Sequence, residues 1–132
     1  MATALPASQQ IDLRGNAVLV TEIVADKVSA DSTTATLSSN AATITKYAAK
    51  ITTESLTTAH TVTATLVITL SGVAAGDLAF AQLAGGTNTG GLPIIDSVVT
   101  TTNTVTIKLK NQALTTNAFN GTFFINLLVL KA

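Results

Sequence analysis

A single histidine, His60, limits the acid–base chemistry open to this chain. Any mechanism that uses histidine as its general base must use this residue. A triad of His60 with Ser71 and either Asp77 or Asp96 can be written, but the sequence has no G-x-S-x-G segment, and "LSGVAAG" around Ser71 is typical of a turn. We therefore interpret His60 as a surface or lightly packed histidine, and we predict no catalytic residue and no enzyme.

The acidic residues do not form a recognisable site either. Asp26 and Asp31 bracket a stretch without the D-x-[DN]-x-[DN]-G register of a calcium loop. The candidates for a pair of glycosidase carboxylates do not lie among the aromatic residues that sugar platforms need; they are Glu22, Glu54, Asp77 and Asp96. We predict no metal site and no cofactor.

Two glycine motifs have a structural explanation. The segment "GGTNTGG" from Gly85 to Gly91 lacks the Lys-Ser/Thr and the following helix of a phosphate-binding loop, so it predicts a loop between strands that approaches another backbone closely. The Asn120–Gly121 pair is a strong hairpin signal and predicts a tight turn there.

Charge is scarce and balanced. Charged residues make up 11% of the 132 residues, the formal net charge is +0, and between Glu54 and Lys108 only Asp77 and Asp96 carry a charge. Such a surface has no electrostatic footprint for nucleic acid or an anionic membrane, and we predict neither partner.

The chain has no cysteine, so disulfides and thiolate metal sites are excluded. The start "MATALPASQQ" lacks a basic n-region and an apolar h-region, so we expect no secretory signal.

Apolar and polar residues alternate with the period of a β-strand along much of the sequence. In "AHTVTATLVITL", Val62, Ala64, Leu66, Ile68 and Leu70 share one face and threonines dominate the other. Several such segments, separated by turn signals, predict an all-β fold: a single-domain antiparallel β-sandwich or barrel over residues 11–132, preceded by an extended N-terminal arm over residues 1–10.

Individual strands can also be placed. We predict strands at residues 11–13, 17–24, 34–37 and 43–52, with a short helix through "KYAAK" as the alternative to part of the last one. In "DLAFAQLA" we place Leu78 and Phe80 on one face of a strand, and two strands flank a turn near residues 101–103.

The last strand, "TFFINLLVL", is apolar on both faces. Phe123, Ile125, Leu127 and Val129 lie on one face, and Phe124, Leu128 and Leu130 lie on the other. Since both faces should be covered, we predict that Phe124, Leu128 and Leu130 form a subunit interface. The threonine-rich faces of other strands are either solvated β-surface or neutral surfaces that pack against copies of the chain or a repeating lattice.

Two stretches of the sequence resemble a known class of proteins. The segments "ITTESLTTAHTVTATLVITL" and "TVTIKLKNQALTTNAFNGTFFINLLVLKA", within residues 51–132, are similar to small Thr-rich, cysteine-free virion proteins of tailed bacteriophages. These are in particular the capsid decoration or cement proteins, including those of cyanophages. The resemblance implies a β-rich homotrimer, made in the host cytoplasm, that sits on the outer surface of the phage head and ties major capsid protein subunits together.

An N-terminal arm often reaches over a neighbouring subunit in that class, which gives Thr3, Leu5 and Pro6 an expected role in capsid contact. The alternative that the sequence leaves open is a binding module of a head or tail fibre, which would recognise a ligand on the host surface.

Overall fold

A computed structural model of the chain describes residues 32–132, which form ten strands and no helix. The predicted arm at residues 1–10 and the predicted strands at 11–13 and 17–24 lie outside the described residues. The strands are β1 (Ser32–Thr36), β2 (Ala41–Ile44), β3 (Ala48–Thr52), β4 (Leu56–Thr58), β5 (Thr63–Leu70), β6 (Leu78–Gly86), β7 (Pro93–Thr101), β8 (Thr104–Asn111), β9 (Phe119–Gly121) and β10 (Phe123–Leu130).

The strands form two four-stranded sheets and one two-stranded sheet. Sheet 1 has the order β1-β3-β10-β6, sheet 2 has the order β2-β5-β8-β7, and β4 pairs with β9. Buried residues of both large sheets, such as Ile125 of β10 and Ile107 of β8, belong to one hydrophobic cluster. The prediction of an all-β fold is confirmed, and the arrangement of the sheets is that of a sandwich.

The pairing is not purely antiparallel, which corrects the predicted topology. β1 runs parallel to β3, and β2 runs parallel to β5, whereas the other pairs are antiparallel. The reason is that β1, β2 and β3 follow one another in alternate sheets instead of forming hairpins. The first crossing turns at Ser39 and Asn40, whose φ angles are 51° and 60°.

The segment predicted as one strand at residues 43–52 is therefore two strands in different sheets. The chain bends at residues 45–47, between β2 and β3. The alternative helix through "KYAAK" does not form, because Ala49 and Ile51 face the core while Lys50 between them is exposed, which is the period of a strand.

Three strands follow the predicted alternation closely. β5, β8 and β10 bury Leu66, Ile68 and Leu70; Val105, Ile107 and Leu109; and Phe123, Ile125, Leu127 and Val129. Val62 is the exception, because it precedes β5 in a turn that includes Thr61, with a φ of 64°, and half of it is exposed.

Glycines allow the loop between β6 and β7 to lie against the backbone around β9, as predicted for the "GGTNTGG" segment. Gly91 has a φ of 61°, and a Cβ there would lie 2.6 Å from the amide nitrogen of Phe119. The predicted hairpin at Asn120–Gly121 is wrong: both residues belong to β9 and pair with β4. The φ of 147° at Gly121 gives room for Thr87 of the loop instead of closing a turn.

Candidate assembly surface

Four large apolar side chains lie side by side on the outer face of sheet 1. Leu128 of β10 is opposite Phe80 of β6, and Leu130 is opposite Leu78. Their exposed fractions run from 40% for Leu128 to 56% for Phe80. Residues that lie opposite each other on one face of a sheet are close enough for their side chains to touch. These four residues therefore form a continuous patch, which we call the apolar square: Leu78, Phe80, Leu128 and Leu130.

The orientation of β6 creates half of this patch. Ala79, Ala81 and Leu83 face the core, whereas Leu78 and Phe80 face outward. Fully burying one Leu or Phe side chain is worth about 1.5–3 kcal/mol, so in the isolated chain β6 forgoes part of the stabilisation that its largest side chains could supply. Phe80 stays outside because its partner Leu128 lies on the outer face of β10, whose buried face is occupied by Ile125 and Leu127.

Small and polar residues border the apolar square. On the β3 side, Ala48 is opposite Leu128 and is half-buried. In the next row toward the other end of the sheet, Asn126 is opposite Gln82, and both are exposed. A surface depression of about 190 Å³ lies between these rows, with Phe80 and Leu128 among its lining residues. An exposed apolar patch with a polar rim is characteristic of an interaction site.

The predicted interface residues only partly come together. Leu128 and Leu130 lie in the apolar square, but Phe124 is two rows away from Leu128, is half-buried and has the Nζ atom of Lys50 4.9 Å from its ring centroid. This cation–π contact covers the ring within the chain itself. The predicted capsid-contact residues of the arm lie outside the described residues; they are Thr3, Leu5 and Pro6.

Sequence reasoning did not assign Leu78 and Phe80 to the interface. A signal for their orientation was available, because Gln82 shares their phase along β6 and marks that face as the one that meets solvent.

A buried carboxylate holds the end of β10 beside the start of β6. Asp77 Oδ2 accepts hydrogen bonds from Lys131 Nζ at 2.6 Å and from the Ala74 amide at 2.9 Å, and Oδ1 accepts one from the Ala132 amide at 3.1 Å. The hydrogen bond from Lys131, together with those from the two amides, lowers the pKa of Asp77 to about 2. Since Asp77 directly precedes β6 and Lys131 directly follows β10, this cluster fixes Leu130 next to Leu78.

Sheet 2 presents a different outer face. One row across its four strands consists entirely of threonine: Thr43, Thr69, Thr104 and Thr101. The next row contains Val67 and Val99, of which 37% and 49% are exposed. This face offers hydroxyl and methyl groups and, in these two rows, no charge.

One buried side chain organises the end of the sandwich where the glycine loop lies. Asn111 is fully buried, and its Nδ2 donates to the carbonyl oxygens of Thr58 at 3.0 Å and Asn117 at 2.8 Å. Its Oδ1 accepts from the amides of Leu92 at 3.0 Å and Ala113 at 3.2 Å. All four hydrogen bonds of the amide are therefore satisfied, and they join β4, β8 and two loops.

An open groove of about 300 Å³ lies near the glycine loop, between the end of β6 and the start of β7. Its lining residues are mostly apolar: Leu83, Gly85, Gly86, Asn88, Pro93 and Phe123.

The triad considered from the sequence does not assemble. His60 precedes β5 and Ser71 follows it, and the eight residues of that strand keep the two side chains on the order of 20 Å apart. The Asp77 carboxylate is engaged with Lys131 and two amides.

Within residues 32–132 there is no group of three or more His, Cys, Asp or Glu residues that could hold a metal ion. The same part of the chain contains no helix long and apolar enough to cross a membrane.

Comparison with known proteins gave no further assignment: no family model, curated protein or solved structure matches this chain.

Proposed function

We propose that this chain is a structural virion protein, a capsid decoration protein that binds the outer surface of a phage head as a homotrimer. In this role it stabilises the head by bridging subunits of the major capsid protein. The observation that carries the proposal is the apolar square on the outer face of sheet 1, where four large side chains are left about half exposed. The resemblance of residues 51–132 to decoration proteins supports the same function.

The chemistry of the two outer faces fits a protein that acts by contact. The apolar square gives each copy a surface that gains free energy when another copy covers it. The threonine row of sheet 2 provides a neutral face for a lattice, because contact through hydroxyl and methyl groups avoids the cost of desolvating ions. Many weak contacts repeated over a symmetric shell then act together through multivalency.

The proposed mechanism is binding linkage. A protein that binds the assembled lattice, and binds isolated capsid subunits less well, shifts the equilibrium toward the assembled particle. No chemical step is needed, and the effect grows with the fraction of lattice sites that are occupied.

The copy number in purified particles tests this function. Quantitative gel densitometry against the major capsid protein should give a ratio of one, or a fixed simple fraction of it. A few tens of copies per particle would contradict decoration and indicate a fibre or vertex protein, and absence from the particle would refute a virion role.

A matched pair of variants tests the contribution of the apolar square. Phe80→Asp places a charge in the square, and Val99→Asp places the same charge on β7, the corresponding edge strand of sheet 2. We expect Phe80→Asp to dissociate the oligomer, and Val99→Asp to leave its mass unchanged. Equal effects of the two variants would contradict the role assigned to the square.

The groove between β6 and β7 favours one second candidate, a fibre module that recognises a ligand on the host surface. Its volume of about 300 Å³ and its mostly apolar lining suit a small ligand or one side chain of a larger one. Binding of the purified protein to host cells, abolished by Asn88→Asp at the rim of the groove, would support this candidate over decoration.

A further inference from the structure

The Asn120–Gly121 pair closes no turn, but it has a chemistry of its own. The main-chain nitrogen of the residue after an asparagine can attack the carbon of the side-chain amide, and this attack is least hindered when that residue is glycine, which has no Cβ. Asn120 is exposed on β9, so solvent reaches its side chain. It is the only asparagine of the chain that is followed by glycine.

The fold requires the glycine of this pair but not the asparagine. Gly121 has a φ of 147°, and a Cβ there would overlap the carbonyl oxygen of Thr87 in the glycine loop. Position 120 has no comparable requirement, because its side chain is exposed. Asparagine is depleted in strands, and the exposed positions of β5 are mostly threonine. The fold therefore explains Gly121 and leaves Asn120 to be explained.

The pairing of β9 engages the Gly121 nitrogen. Asn120 exchanges both main-chain hydrogen bonds with Thr89, at 2.8 and 3.2 Å, so its main-chain groups face the glycine loop. Because main-chain direction alternates along a strand, the Gly121 amide faces β4, where Leu56 is its partner. Phe123, two residues on, bonds the chain just before β4, which agrees with this alternation.

Attack also needs a rotation of the main chain. The product is a five-membered ring of the Gly121 nitrogen and the carbonyl carbon, Cα, Cβ and Cγ of Asn120. Such a ring holds the nitrogen and Cβ on the same side of the Cα–C bond, whereas the extended conformation of a strand turns them apart. Cyclisation therefore requires residue 120 to leave the strand and Gly121 to release β4.

The sheet that prevents this reaction is small. β4 and β9 have three residues each, and short pairing at a surface opens at a lower free energy than the whole fold. Phe119 anchors the start of β9 in the core, edge-on against Phe123 with ring centroids 5.2 Å apart. Opening is therefore expected in the part of β9 that contains Asn120 and Gly121.

We propose that Asn120–Gly121 is a self-modification site whose reaction is gated by opening of the β4–β9 sheet. In the open state, the Gly121 nitrogen loses its proton to solvent and bonds to Asn120 Cγ, and the side-chain nitrogen takes up a proton and leaves as ammonia. Water then adds to one of the two ring carbonyl carbons and breaks its bond to the ring nitrogen. Addition at Cγ gives aspartate, and addition at the main-chain carbon gives isoaspartate.

The two products differ in their effect on the fold. Each adds one negative charge to a chain whose formal net charge is +0. Isoaspartate also inserts one carbon into the main chain, which displaces the groups that pair residue 120 with Thr89 and Gly121 with Leu56. Formation of isoaspartate therefore makes a transient opening of the sheet permanent.

Incubation of the purified full chain in mildly alkaline buffer tests the proposal. Peptide mapping by mass spectrometry, with separation of aspartyl and isoaspartyl peptides, follows Asn120 and an exposed asparagine of β10, Asn126. We expect native conversion to be faster at Asn120 than at Asn126, and at least about tenfold slower at Asn120 than in urea, since tenfold corresponds to about 1.4 kcal/mol of opening free energy. Native conversion of Asn120 as fast as in urea, or no faster than that of Asn126, would overturn the proposal.

Hydrogen exchange in the native protein makes the gating quantitative. The opening that frees the Gly121 nitrogen for attack also exposes its proton, so conversion should be slowed relative to urea by at least the factor that slows exchange at Gly121. A smaller factor for conversion would mean attack without opening and would contradict the gating. Asn120→Gln is the matched control, since its amide would need a six-membered ring; conversion of this variant at the wild-type rate would contradict cyclisation.

A comparison of the isoaspartyl chain with Asn120→Asp tests the structural consequence. Both carry the same charge, but only the isoaspartyl chain has the longer main chain. We expect the amide of Thr89, which donates to the Asn120 carbonyl oxygen at 2.8 Å in the wild type, to exchange faster in the isoaspartyl chain than in Asn120→Asp. Equal exchange in the two chains would refute the permanent opening.

Discussion

Replacing Asn111 by Asp tests whether one buried amide holds the end of the sandwich together. The substitution keeps the size of the side chain and the acceptor for the amides of Leu92 and Ala113, but it removes both donors. The carbonyl oxygens of Thr58 and Asn117 then lose the partner that bonds them at 3.0 and 2.8 Å. A buried group left unsatisfied costs about 1–3 kcal/mol, so two such groups lower the free energy of unfolding by about 4 kcal/mol.

The pH dependence of this variant gives the reasoning a sharper test. At neutral pH the new carboxylate is charged, buried and directed at two carbonyl oxygens, and each of these effects raises its pKa in the folded state above the unfolded value of about 3.9. A group with a raised folded pKa penalises folding above that pKa, and the penalty is lost as the pH falls toward the unfolded value. The difference in the free energy of unfolding between the wild type and Asn111→Asp should therefore become smaller as the pH falls from 7 to 4.

Urea unfolding measures both effects, and one fixed protein concentration is used because the proposed oligomer would make stability depend on concentration. Asn120→Asp is the control, since it makes the same chemical change at an exposed position of β9. A loss below about 1 kcal/mol for Asn111→Asp at pH 7, or a deficit that grows as the pH falls, would refute the assigned role of Asn111.

Two further predictions concern the glycine loop and the cluster at the end of β10. Gly86→Ala should destabilise the protein by at least about 1 kcal/mol more than Gly76→Ala, as measured by urea unfolding. Both glycines have a positive φ, but a Cβ at Gly86 would meet the Thr122 carbonyl oxygen, whereas a Cβ at Gly76 has nothing within 4 Å. Because the pKa of Asp77 is lowered from 3.8 to about 2, its contribution to stability is complete above pH 4 and is lost as the pH falls through 2. The difference between the wild-type and Asp77→Asn urea midpoints should therefore narrow between pH 4 and pH 2; a constant difference would contradict the cluster.

The buried faces of β5, β8 and β10 could be predicted because their two faces differ in kind. Aliphatic residues alternate with Thr or Lys in β5 and β8, and Val67 is the exception on the outer face of β5. This alternation favours one orientation of each strand. In β10 both faces are apolar, but Asn126 lies in phase with Leu128 and Leu130 and marks the outer face. The sequence pattern was sufficient to orient these strands, because the residues buried in the structure are those that the two-residue period places on one face.

β6 could not be oriented from hydrophobicity alone. Its larger side chains, Leu78 and Phe80, would favour burial of the face that is in fact exposed. The register with β10 determines which face of β6 is buried. The chain crosses between the sheets at residues 37–40 and 45–47, and Asn120–Gly121 belongs to β9. Both features depend on contacts between residues distant in the sequence, which a local turn signal does not contain. Half of the apolar square was therefore predicted, through Leu128 and Leu130, and the half contributed by β6 was not.

Covering the apolar square would supply about as much free energy as association costs. Covering the exposed half of four large side chains is worth about 3–6 kcal/mol for each copy. Association costs about 4–15 kcal/mol in lost translational and rotational freedom, so the square alone is near the point where oligomer and single chains balance. An interface so close to this balance should fail when one of its side chains becomes charged, which is why Phe80→Asp is expected to release single chains from the proposed oligomer.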